Sequence, residues 1–341
     1  MRPAAARRVF RCLALSAFLF LPASAGDAAH TYLILPFEDS APDGSRDWLQ
    51  EAMVVSLSDY FIGAGQHVVD RDDRLLAMDE MNLPPGAPLT LATSLRLGKN
   101  LRSRDEGPAP DRLVVGRFSL TEGQMTLSAR LLRLDANAAA PWKEESGNLK
   151  DLLQIQKSLA HALLHADGIG TGNLASQSDD AGAGHAFPLV AYESYIRGLI
   201  DPQAARQITY LRKAVELSPG YPKACYQLAR VLVRSGKRGE ADSVLKGAAG
   251  DPAPYAAEYH ALKGSLDLDG GRISEAEAEA RQSMGIKDTS GVHVLLARIA
   301  RAQADPVRAR QELDKAEALD PDNPDVEPLR HQLAKEAPPH S

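Results

Sequence analysis

His161 and His165 stand four residues apart. On a helix that spacing places two imidazoles on one face, where they can share a metal. No glutamate lies between them to act as a base and no third ligand accompanies them, so a partly exposed helix end is the favoured reading. Asp70, Asp72 and Asp73 with Arg71 and Arg74 form a charged turn that helix capping and solvation account for. Asp267 and Asp269 ahead of Gly270-Gly271 begin like a calcium loop but lack its closing glutamate. Gly63-Ala64-Gly65 has no Lys-Ser/Thr after it to complete a phosphate loop. No Gly-x-Ser-x-Gly elbow or nucleophile–base–acid set stands out. Cys225 lies on an apolar helix face and reads as a packed, inert thiol. The expectation is a chain with no catalytic residues, metal site or cofactor, and no enzyme.

A second group of residues suggests binding. Lys223, Tyr226, Arg230 and Arg234 follow one another at helical spacing, and Arg298 and Arg301 form a later pair. Guanidinium forks take carboxylates, so a cluster of them suits an acidic protein or peptide partner. The same arginines can equally pair with carboxylates of their own surface, Asp269 and Glu258 among them, at roughly 0–1 kcal/mol each. Tyr192 and Tyr195 offer either a flat aromatic contact or core. The scaffold decides between these readings.

From Leu189 to about Lys335 the sequence reads as helices broken by short Gly, Pro and Asp turns. Small residues recur in it at fixed intervals. Ala229, Ala241 and Ala248 are spaced 12 and 7 apart, as are Gly264, Ala276 and Ser283, and Ala297, Ala309 and Ala316. The first members lie 35 and 33 residues apart. That is the period of roughly 34 residues expected of tetratricopeptide repeats, in which antiparallel helix pairs pack closely and stack. An earlier unit has Gly198 and Ala214 only 16 apart, which predicts an inter-helix turn three residues short. Leu211, Leu245 and Leu313 fill one slot in three units, and Pro219 and Pro321 stop helices. About four pairs and a capping helix over 323–335 are expected. In such a stack the first helix of each pair lines the concave face. Lys223, Tyr226, Arg230, Arg234, Arg298 and Arg301 then point into a protein-binding groove.

The segment 31–166 alternates strand and helix patterns. Thr31 to Pro36 suits a buried strand, and Trp48, Leu49, Met53, Leu57 and Tyr60 or Phe61 fall at helical spacing after turn and cap residues Asp43 to Ser45. His67 to Val69 reads as a strand, Asp70 as the N-cap of a helix through Met81, and Thr90 as the start of another. Asp111 to Leu120 and Gln124 to Asp135 alternate around Glu122-Gly123, a β-hairpin signal. Trp142 to Ser146 adds a strand and Leu149 to Leu164 an amphipathic helix. The fold class expected is an α/β N-terminal domain, a mixed sheet with flanking helices, followed by an all-α superhelical solenoid.

Three runs in this segment carry a resemblance: LILPFEDSAPDGSRDWLQEAMVVSLSDYF, VVDRDDRLLAMDEM and LVVGRFSLTEGQMTLSARLLRLD. Together they resemble the TolB amino-terminal-like domain, a group that includes the curli-assembly CsgG type and the flagellar FlgO type. The resemblance implies an envelope-located, protein-interacting domain without catalytic residues. It differs from TolB in continuing into tetratricopeptide-type repeats rather than a β-propeller.

At the start, Arg2, Arg7, Arg8 and Arg11 precede or enter an apolar run from Cys12 to Leu21, followed by Ala23-Ser24-Ala25. This is the pattern of a cleaved secretory signal, and cleavage is expected after Ala25. The run is about half the roughly 20 residues needed to span a bilayer, and no later stretch is long and apolar enough. The domains expected are thus a signal 1–25, an α/β domain 26–166, a Gly/Ser/Asp-rich linker 167–188, a repeat array 189–335 and a tail 336–341. The 341 residues carry 39 Lys and Arg against 45 Asp and Glu. Loss of the signal leaves 35 against 45, a net charge of −10, which disfavours nucleic acid as a partner. The function expected is a periplasmic or secreted, non-catalytic adaptor or scaffold of the bacterial envelope that binds protein through the groove. The alternative is a regulator whose α/β domain senses a small ligand and signals through the repeats.

Overall fold

The computed structural model describes residues 29–42, 44–84, 86–101, 109–136, 138–170 and 188–336. The expected signal segment lies outside them, as do residues 171–187 of the expected linker and 337–341 of the tail.

The first half is built on a mixed sheet that does not close into a barrel. β1 (Thr31–Ile34) is buried throughout and lies parallel to β3 (His67–Val68) on one side and β4 (Arg112–Thr121) on the other. The short β2 (Glu38–Asp39) also runs parallel to β4. β4 turns back as β5 (Gln124–Arg133) through Glu122 and Gly123, whose φ angles of 50° and 80° are both left-handed. Two such residues twist a hairpin in the sense of its strands. β5 then pairs with β6 (Ala138–Ala139) and β7 (Lys143–Asn148).

Strand alternation sorts the two faces of the sheet. Val114, Phe118, Leu127 and Leu131 pack with α1 (Asp47–Gly63) and α4 (Leu152–Ala166). The opposite face is apolar at one end only, where Leu33, Leu113 and Leu132 meet Met78 of α2 (Arg71–Glu80) and Leu97 of α3 (Leu91–Asn100). Beyond that end the registered rungs Arg117–Ser128–Glu144 and Ser119–Thr126–Ser146 are polar.

Asp70 caps α2 by accepting from the Asp73 amide at 2.8 Å, and Thr90 caps α3 by accepting from the Thr93 amide at 3.2 Å. The start of α1 departs from expectation. The helix follows Arg46, which supplies no side-chain cap; its guanidinium reaches the Leu120 carbonyl at 3.0 Å and ties the helix to the hairpin. Arg74 is likewise not part of a solvated turn. It is 1% exposed and holds both carboxylate oxygens of Glu51 at 2.6 and 2.7 Å, which anchors α2 to α1. Two such charges are tolerable in the interior because they pair with each other, and Arg74 Nη1 also reaches the Ile34 carbonyl at 3.2 Å.

The second half is a tetratricopeptide-like solenoid of helix pairs: α5 (Leu189–Ile200) with α6 (Ala204–Leu217), α7 (Pro222–Arg234) with α8 (Arg238–Lys246), α9 (Ala256–Asp269) with α10 (Ile273–Ile286), and α11 (Ser290–Ala302) with α12 (Pro306–Leu319). α13 (Val326–Glu336) closes the stack with Val326, Leu329 and Leu333 on its buried side. The recurring small residues sit where the helices cross. A Cβ on Gly198 would lie 2.6 Å from Leu211 Cγ, and one on Gly264 would lie 3.1 Å from the Ala276 carbonyl oxygen. The first turn is not short. Residues 201–203, 235–237, 270–272 and 303–305 each join a pair, so all four turns have equal length. The missing residues come from α5, which ends two residues after Gly198, whereas α7 runs five beyond Ala229.

Candidate functional site

The expected groove residues fall into two environments, and α1 is the cause. Its Ala52 carbonyl accepts from Gln156 Nε2 of α4 at 3.2 Å and from the Tyr192 hydroxyl of α5 at 2.9 Å, so one backbone oxygen ties the sheet domain to the first repeat. Burial pushes the Tyr192 hydroxyl well above its ordinary pKa, which keeps it a donor. Trp48 meets the Tyr192 ring edge-on at 6.5 Å. One hydrophobic core runs from the sheet through α1 into α5 to α9. The helix thus lies against the first helices of the first two pairs.

Lys223, Tyr226 and Arg230 belong to this covered region. Lys223 Nζ is buried 2.6 Å from Asp59 Oδ2 of α1. Tyr226 is buried and stacked on Tyr255 with centroids 5.6 Å apart, while the Arg230 guanidinium lies 5.7 Å over the Tyr226 ring. Arg230 also stands 3.9 Å from Asp72 at the start of α2. Tyr192 and Tyr195 are core. Arg234 is exposed at the end of α7 and has no ion pair among the described residues.

Arg298 and Arg301 lie elsewhere, on the rim of an open hollow of about 450 Å³ lined also by Leu268, Ala302 and Glu336. Arg298 Nη2 lies 3.2 Å from Asp269 Oδ1, and Asp269 takes Arg238 of α8 as well. Arg301 donates to Glu336 at 3.1 Å and to Gln332 at 2.6 Å, both on α13. Both arginines are therefore held in place by exposed carboxylates, and such pairs exchange readily for an incoming acid because each is worth only about 0–1 kcal/mol.

A third feature locks the same end of the array. His260 Nδ1 lies 2.6 Å from Glu279 Oε2, and His293 Nδ1 lies 2.6 Å from Glu312 Oε2. Each pair clamps the first helix of a repeat to its second. The 33-residue offset of both members matches that of Gly264 and Ala297, so the repeat period itself could have revealed them. Asp59, Asp72, Gln332 and Glu336 had no such signal.

The residues first considered for chemistry are not assembled into a centre. His161 lies tilted against Tyr60, with ring centroids 6.5 Å apart, and His165 is exposed. Asp267 pairs with Arg272 at 2.7 Å. Burial pushes the Cys225 thiol up to about 11. Among the described residues no group of three or more His, Cys, Asp or Glu is placed to hold a metal ion. No helix among them is long and apolar enough to cross a membrane.

Residues 201–266 match the family model of the tetratricopeptide repeat. No curated protein matches the chain. Among solved structures, the LpoB C-terminal domain from Salmonella enterica is similar at 11% identity, over 37% of this chain and 87% of that one, with a TM-score of 0.29. YrrB, described as a tetratricopeptide protein with an unusual peptide-binding site, is similar at 17% identity over 54% of this chain and 89% of its own, with a TM-score of 0.37. The Cut9–Hcn1 hetero-tetramer of the APC/C is similar at 14% identity over 54% and 34%, with a TM-score of 0.38. The family match alone places the tetratricopeptide signature on residues 201–266, a helical architecture that typically serves as a scaffold for protein interaction.

Proposed function

We propose that the chain is an exported, periplasmic adaptor of the bacterial envelope, without catalytic activity. The TolB-like and FlgO-like domain over 26–166 docks one envelope component. The repeat array over 189–335, joined to it by the linker 167–188, holds a segment of a second protein. The observation that carries this reading is the hollow between α9, α11 and α13, where Arg298 and Arg301 present cations already oriented by weak, exchangeable partners. An acidic segment fits that chemistry. Because Asp59 of α1 holds Lys223 and Asp72 of α2 stands beside Arg230, the partner enters at the third and fourth pairs.

The test is the double charge reversal Arg298→Glu and Arg301→Glu in the full mature chain. Capture of the partner should fall, and added salt should weaken capture by the parent protein. Undiminished capture by the double variant, with its helix content intact, contradicts the groove.

The regulator reading has one supporting observation. The core continuous from the sheet into the repeats gives a ligand bound to the α/β domain a packed route to the array. A small molecule that raises the melting temperature of the full chain while altering partner capture favours it.

A further inference from the structure

The polar end of the sheet face, left uncovered by α2 and α3, holds an exposed tryptophan. Trp142 precedes β7 and is 44% exposed, whereas Trp48 is buried. Two arginines lie against its ring, Arg117 of β4 with its guanidinium 5.1 Å from the centroid and Arg130 of β5 at 4.8 Å. Neither has an ion pair among the described residues. Elsewhere in the chain Arg74, Arg112, Arg272 and Arg298 all do.

Two carboxylates share the layer and leave these arginines alone. Glu38 stands beside Arg117 in the parallel register, and Glu144 accepts from the Ser128 hydroxyl at 3.0 Å. The arginine heads are turned to the indole instead. A guanidinium over an aromatic ring keeps N–H groups that can pair with a carboxylate, and the Arg130 Nε has no hydrogen-bond partner among the described residues. Tryptophan and arginine are also the side chains that concentrate binding energy at protein interfaces. The hydroxyls of Ser119, Thr126 and Ser146 continue the face as a flat polar rim.

We propose that this face docks an acidic segment of a partner protein, with Arg117 and Arg130 forking onto two of its carboxylates while Trp142 packs against it. The face is turned away from α1, whose Ala52 and Asp59 meet the repeats, so docking here leaves the hollow at Arg298 and Arg301 free. The inference rests on the adaptor reading in requiring a protein partner, but it uses none of the groove residues. A defect here and a defect at Arg298 and Arg301 are therefore separable.

The full mature chain is titrated with a short blocked peptide alternating glutamate and serine, and tryptophan emission is followed with the Trp142→Phe variant as the blank. The expected result is a saturable change carried by Trp142, with affinity reduced about tenfold in Arg117→Ala and in Arg130→Ala. Arg117→Lys and Arg130→Lys keep the charge and the stem, guarding against loss of fold. They should also weaken binding, since an ammonium cannot fork. The Arg298→Glu, Arg301→Glu chain should bind the peptide as the parent does. Four results overturn the proposal: no saturable change, equal binding of the glutamine–serine peptide, lysine variants that bind as tightly as the parent, or tighter binding of heparin than of the peptide. The last would assign the face to an anionic glycan.

Discussion

Lys223 Nζ and Asp59 Oδ2 meet at 2.6 Å across 164 positions of sequence, joining the second repeat pair to the first helix of the sheet domain. With the Tyr192 hydroxyl on the Ala52 carbonyl, this contact turns part of a repeat surface into an internal interface. Such a surface is ordinarily free to take a helix from another protein. Here the chain supplies the helix itself.

The ion pair should therefore matter to stability. Lys223→Met is expected to lower the unfolding free energy by about 2 kcal/mol, because it removes the buried ammonium that offsets the Asp59 charge at the interface. Asp59→Asn in the same chain should restore part of the loss. Urea denaturation of the two single variants and the double variant measures both effects.

Small residues at the crossings should be intolerant of growth. Gly198→Ala places a Cβ against Leu211, and the crowding should cost about 1–3 kcal/mol, outweighing the gain in helix propensity. Gly239 on α8 has open space around it. Gly239→Ala should stabilise by up to about 1 kcal/mol. Equal effects at the two glycines in thermal melts would contradict close packing as the reason for the pattern.

Cys225 should be silent in the folded protein. Its thiol is buried and pushed up to about 11, so the reactive thiolate is scarce at neutral pH. A thiol reagent should label it only after denaturation.

Acid should loosen the C-terminal repeats. Burial alone would raise the Glu312 pKa, but hydrogen bonds from His293 and Lys315 outweigh it and hold the carboxyl below its ordinary 4.5. Glu277 is lowered too, chiefly by the hydrogen bond from Gln303 and then, against burial, by that from Arg308. Both are depressed in the folded state. Their stabilisation is complete above about 4.5 and disappears as pH falls through the lower folded values. The melting temperature should drop in that acid window, and Glu312→Gln should start lower at neutral pH and fall less steeply.

The parts legible in the sequence are those with a local or periodic cause. The φ-positive pair Glu122-Gly123 dictates its own turn, Asp70 and Thr90 cap the helices that follow them, and the repeat intervals place the close crossings. Gly198 illustrates the limit of spacing alone: its short interval records a shorter α5, not a shorter turn. The sequence offered a set of candidate cations but not which of them lie open. Arg230 and Lys223 are claimed by Asp72 and Asp59, and no periodicity links residues so far apart. Arg298 takes Asp269, the neighbour that its own repeat surface offered. The Arg117–Trp142–Arg130 contact depends on strand register, which no single strand reveals.

Photo-crosslinking from within the hollow reports directly on whether a partner enters there. A photoreactive residue is placed at Ala302, which lines the hollow, and for comparison at Val307, which is 61% exposed on the second helix of the same repeat. A discrete adduct with a second envelope protein is expected from Ala302, lost in the Arg298→Glu, Arg301→Glu background and absent from Val307. Adducts that are the same from both positions, or none from Ala302, would contradict binding in the hollow.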